Sequence, residues 1–131
     1  MVSLPSGTVC VTRLYAFRSF EDAEPDDRAP DWVCLALPLG ALERSDRRMG
    51  SFPFGNDGAA TSLDWRTAFD EWLVAIAREV ATVVPFRLAV IGFEASGEVC
   101  RDDLDRNGLR VERPHALLVP GSTGGWFPAT Y

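Results

Sequence analysis

Residues 61–84 read TSLDWRTAFDEWLVAIAREVATVV, and this stretch decides the fold class. Trp65, Phe69, Trp72, Ile76, Val80 and Val83 recur at spacings of four and three, which gathers them on one side of a 3.6-residue helix. Asp64, Glu71 and Arg78 fall on the opposite side. Thr61 or Ser62 is placed to cap the first turn, Asp64 complements the positive end of the helix dipole, and Pro85 stops the helix. The spacing predicts one long amphipathic helix with Trp72 and Ile76 buried.

Working outward, residues 86–94 (FRLAVIGFE) follow so closely that they are expected to return antiparallel along the helix as a central strand. Upstream, residues 8–18 (TVCVTRLYAFR) read as a strand largely covered on both faces, and residues 31–39 (DWVCLALPL) as a second, where Pro38 implies an edge position or the strand end. Residues 43–60 are polar and glycine-rich and read as a long irregular loop holding Phe52 and Phe54. Downstream, residues 97–101 and 109–113 are expected to pair around a turn at 102–108, and residues 115–119 (HALLV) form a last strand. Residues 121–125 read as a flexible linker to Trp126, Phe127 and Tyr131. The fold expected is α+β and two-layered: a mostly antiparallel sheet with one long amphipathic helix packed on one face, in a single globular domain over residues 1–131.

Hydrophobic residues at 47% and charged residues at 24% suit a chain that folds on its own core and argue against disorder. The apolar runs at 35–39 and 88–93 are too short to span a membrane, and residues 1–5 lack the basic start and apolar core of a secretory leader. A cytoplasmic location and no membrane partner are therefore expected. The net charge of −6 argues against binding nucleic acid by phosphate neutralisation.

Catalytic equipment is sparse. All 13 basic residues are arginine, there is one histidine, and no phosphate loop or nucleophile elbow occurs. Cys10, Cys34 and Cys100 lack the paired spacing of a zinc site or disulfide framework, and Cys100, in a polar stretch, is the thiol expected to be exposed. Asp103, Asp105, Asn107 and Gly108 reproduce half of a calcium loop, but Pro114 stands where a bidentate glutamate belongs. A solvated turn with Asn107 and Gly108 at its tip accounts for these residues, so no metal and no cofactor are expected. His115 can act as a general base near neutrality, with Glu94 or Cys100 as partner, or it can be a hydrogen-bonded structural residue. Glycines and hydroxyls at 121–125 can wrap an anion but lack a lysine and a following helix.

The most distinctive surface is acidic. Glu21, Asp22, Glu24, Asp26, Asp27 and Asp31 fall within eleven positions, opposed by Arg28 alone. Such a segment either keeps the chain soluble or docks a basic protein, because concentrated negative charge accelerates encounter with a cationic partner. The function expected is protein–protein binding, most concretely by an immunity-type inhibitor that neutralises a basic toxin or enzyme, with the six acidic residues as its docking surface. The alternative is a small enzyme or ligand-binding domain using His115, Glu94 and the carboxylates of Asp102, Asp103 and Asp105. A structural subunit that buries its loop aromatics in an oligomer is the third possibility.

Overall fold

The N-terminal apolar run does not form one strand. In the computed structural model, which describes residues 1–18, 31–51, 59–93, 95, 99–121 and 125–130, it is broken by a change of partner. β1 (Val2–Ser3) pairs antiparallel with β2 (Val9–Cys10), whereas β3 (Arg13–Arg18) pairs antiparallel with β4 (Asp31–Ala36). The β1–β2 turn closes through Gly7 N–H to the Leu4 carbonyl at 2.8 Å, with Gly7 at a φ of 82° that glycine adopts without strain.

β4 ends before Pro38, as expected, and Pro38 then stands at the N-cap of α1 (Leu39–Ser45). A 3-10 turn over Arg47–Ser51 follows. The irregular loop predicted from residue 43 therefore holds the end of α1 and, after Asp46, a 3-10 turn as far as Ser51. Ala41 and Leu42 explain this, since both are buried and tertiary burial holds a helix too short to form alone. Asp46 ends α1, its N–H bonding to the Leu42 carbonyl at 2.8 Å and its carboxylate gripping Arg48 at 2.6 Å. Phe52 and Phe54 lie outside the described residues.

The contacts divide the chain into two units, Met1–Gly55 and Asn56–Tyr131. The elements above belong to the first, whose buried side chains include Leu4, Cys10, Ala41, Leu42 and Met49. The second holds the long helix α2 (Ala59–Ala81), β5 (Ala89–Ile91), α3 (Arg101–Asn107), β6 (Ala116–Leu118) and β7 (Trp126–Phe127). The mixed α+β class and the packing of one long helix on strand residues stand as the periodicity predicted.

The sheet differs in detail. Among the described residues there are three small antiparallel sheets, so residues 8–18 and 86–94 do not share one, and β5 lies at an edge of the order β5-β6-β7. The central strand is β6, buried along its length, which is what the uninterrupted apolar run in HALLV demands. Residues 101–107 are helical rather than a hairpin turn. The Asp103 carboxylate accepts from the Cys100 N–H at 3.3 Å at the helix start, and Gly108, at φ 72°, caps its end with an N–H bond to the Leu104 carbonyl at 2.9 Å. Asn107 and Gly108 thus close a helix instead of tipping a turn.

α2 is rotated from the predicted face. It begins at Ala59, so neither Thr61 nor Ser62 is its cap, and it ends at Ala81 ahead of Pro85. Trp65 and Phe69 are buried as expected, but Trp72 and Ile76 are only half-buried, and Val83 is 78% exposed. The inward stripe runs instead through Arg66, Asp70, Leu73, Val74 and Ala77, and Val74 packs in a core cluster with Ile91 and Ala116. Leu73, Ala77, Trp126 and Ala129 pack against that cluster.

Candidate functional site

Of the six acidic residues expected to dock a partner, Asp31 is described, and Glu21, Asp22, Glu24, Asp26 and Asp27 lie outside the described residues. Asp31 opens β4 opposite Arg18, which grips it with two bonds of 2.8 and 3.2 Å. Hydrogen bonding from Arg18 holds the Asp31 carboxyl below the usual carboxylate range. The hairpin this pair closes has two unlike faces. Tyr15, Phe17 and Trp32 form an aromatic ladder on one, with ring centroids 5.9 and 6.5 Å apart. On the other, Leu14 opposes Leu35 and Ala16 opposes Val33, and here Leu14 is 69% and Val33 71% exposed.

His115 belongs to the second unit. It is buried at the start of β6, and its Nε2 lies 2.9 Å from the Phe93 carbonyl, a contact that makes Nε2–H the donor. Its ring lies on Gly92: a Cβ there would stand 2.8 Å from His115 Cδ2, and the φ of 154° also favours glycine. Glu94 lies outside the described residues.

The carboxylates named with His115 are occupied by arginines. Asp102 meets Arg87 at 2.8 Å, Asp105 meets Arg101 at 2.9 Å and Arg87 at 3.6 Å, and Asp103 meets Arg106 at 3.7 Å. Asp102 and Asp105, three positions apart on α3, share Arg87, but among the described residues no three His, Cys, Asp or Glu side chains gather as a calcium loop requires. Cys100, expected to be an exposed thiol, is half-buried and donates to Asp103 Oδ2 at 3.0 Å, with burial foremost in pushing its thiol above the ordinary range.

β6 pairs antiparallel with β7 and Val119 N–H bonds to the Gly125 carbonyl at 2.7 Å, so Trp126 and Phe127 belong to a strand, while Ser122, Thr123 and Gly124 of the glycine-rich segment lie outside the described residues. Arg113 fastens the segment beyond β7, donating from Nη2 to the Pro128 carbonyl at 2.8 Å while its N–H bonds Thr130 Oγ1 at 2.8 Å.

The helical pattern concealed a charged site. Arg66 and Asp70, four residues apart, are 2% and 4% exposed and form an ion pair with Nε 3.3 Å from Oδ2. Burial raises the Asp70 carboxyl to about 6, overriding the opposing pull of Arg66. A cavity of about 170 Å³ adjoins it, lined by Thr67, Asp70, Glu71, Trp126, Pro128 and Ala129. The signal in the sequence was a charged i, i+4 pair directly following the apolar anchors Trp65 and Phe69.

No protein-family model, no curated protein and no solved structure matches this chain. Among the described residues no helix is long and apolar enough to cross a membrane.

Proposed function

We propose that this chain is a protein-binding molecule that docks a basic protein through the β3–β4 hairpin and the acidic residues between its strands in sequence. Its most concrete form is an immunity-type inhibitor that neutralises a basic toxin or enzyme in the cytoplasm. The observation that carries the reading is the hairpin's apolar face. Leu14 and Val33 sit on neighbouring cross-strand pairs and both stand in solvent. Contiguous exposed apolar surface beside charged residues marks interaction surfaces, and a two-stranded ribbon is marginal without cover.

Charge supports the partner's chemistry. Glu21, Asp22, Glu24, Asp26, Asp27 and Asp31 stand in the sequence between Arg18 and Trp32, and the net charge is −6. A cationic partner is steered toward such a surface, while the apolar side chains hold it after contact. His115, Asp102, Asp103 and Asp105 are engaged in local bonds, which lends the enzyme reading no comparable support.

The test begins with capture from native lysate, comparing the natural chain with a Leu14→Asp/Val33→Asp variant. A basic protein retained by the first and lost by the second is the expected result. Stopped-flow association with that protein should then slow at least about tenfold at low salt in an Asp26→Arg/Asp27→Arg variant, and the gap should shrink as salt screens the field. Association indifferent to both substitutions and to salt overturns the reading.

A further inference from the structure

The space beside Asp70 combines three features: a buried charge, an aromatic wall and room for a small ligand. Thr67, Asp70 and Glu71 line the cavity from one turn of α2, and Trp126, Pro128 and Ala129 from β7 and the segment after it. The Asp70 side chain is 5% exposed. Its Oδ2 faces Arg66, while its Oδ1 has no hydrogen-bond partner among the described residues. A buried carboxylate oxygen without a donor bears its full loss of hydration, and a ligand bringing an N–H there removes that penalty.

The lining selects the ligand's charge. Asp70 and Glu71 against Arg66 leave the site net negative, and the lining includes Trp126, an indole of the kind that attracts cations over its ring. A divalent metal requires more oxygen ligands than this, and no third carboxylate, histidine or cysteine joins the two among the described residues. We propose that this cavity binds a small organic cation with an alkylguanidinium or alkylammonium group. Asp70 Oδ1 accepts its N–H, Glu71 supplies a second negative charge and Trp126 packs against its stem. This site belongs to the second unit and does not rest on the hairpin reading.

The direct probe is methylguanidinium chloride, titrated against the whole chain at constant ionic strength and followed by the indole N–H resonance of Trp126. A saturable shift with a dissociation constant on the order of 1–10 mM is expected for so small a ligand. Methylurea, the neutral counterpart, should bind at least tenfold more weakly. Glu71→Gln, at an exposed position, should fold normally and weaken binding severalfold. Asp70→Asn should abolish binding, and because it also removes the carboxylate paired with buried Arg66, Arg66→Met/Asp70→Asn serves as a second variant with the same expected loss. A blocked Gly-Arg-Gly peptide that binds more tightly than methylguanidinium identifies a protein side chain as the source of the cation, and weaker binding identifies a free small molecule. No saturable shift with the natural chain, equal binding of methylurea, or unchanged binding in a folded Asp70 variant each overturns the proposal, leaving a cavity that is simply hydrated.

Discussion

The β3–β4 hairpin holds Leu14 and Val33 in solvent, whereas α2 holds Arg66 and Asp70 in the interior. The two regions invert the ordinary distribution of side chains in opposite senses. Covering a leucine or valine stabilises a fold by roughly 1.5–3 kcal/mol, and the hairpin leaves that gain unrealised. Burying an ion pair removes hydration that its own attraction seldom restores, and α2 bears that loss. Neither choice is the one that maximises stability. Where local rules are broken without local benefit, the reason is sought in what the surface or cavity does.

The sharpest way to test the helix side is to separate its charges. Arg66→Ala strands Asp70 in the interior and should lower unfolding free energy by about 3–5 kcal/mol in urea titrations. Arg66→Met with Asp70→Leu removes both charges while keeping volume, and should be neutral or stabilising by ~1–4 kcal/mol. If the double variant is as unstable as the single one, the pair is structural and the contrast with the hairpin collapses.

Acidity probes the same pair with a smaller effect. Asp70 has its carboxyl raised from 3.8 to about 6, with desolvation as the largest cause. Between those values the folded chain holds a proton that the unfolded chain releases, so stability falls as pH rises through this window. At neutral pH the ionised group disfavours the fold by up to about 3 kcal/mol relative to acid below pH 4. Asp31, Asp46 and Asp103 are shifted downward, so the stability they contribute is lost only at lower pH and does not mask this slope. Urea midpoints measured at about pH 4 and above pH 6 should fall across that interval, and Asp70→Asn should flatten the change.

The smallest effect is expected at the hairpin, where Leu14→Ser and Val33→Ser should each move stability by no more than about 0.5 kcal/mol, read as melting temperature. A loss of several degrees would mean that this face is covered within the chain, and it would cease to be an exception.

How far the sequence could be read follows from what each residue is asked to do. The spacing from Trp65 to Val83 located α2 to within a few residues, because many apolar positions share one period. The inward face is rotated from the apolar stripe, because Arg66 and Asp70, polar residues outside that stripe, are buried beside Trp65 and Phe69, which lie inward as the spacing predicts. α1 and α3 escaped notice because Ala41 and Leu42 in one, and Leu104 in the other, are too few to establish a period. The signals for α3 lay in its ends: Asp102 and Asp103 in the first turn, Arg106 in the last, and Gly108 beyond. Of the chemistry, a hydrogen-bonded His115 was legible, whereas the cavity beside Asp70 was not, since it is built with Trp126, Pro128 and Ala129, more than fifty residues away in the chain.

Among the described residues β3 and β4 form a two-stranded ribbon that no third strand joins. Sheet edges are in general places where another extended chain can add, and exposed apolar pairs such as those of Leu14 and Val33 favour stacking. Arg13, Arg18 and Asp31 at the strand ends act as gatekeepers, and the charge of −6 makes identical molecules repel. That repulsion reaches only about 8–10 Å at ordinary ionic strength. Raising salt is thus expected to favour self-association of this protein, with the ribbon as one surface through which it can occur.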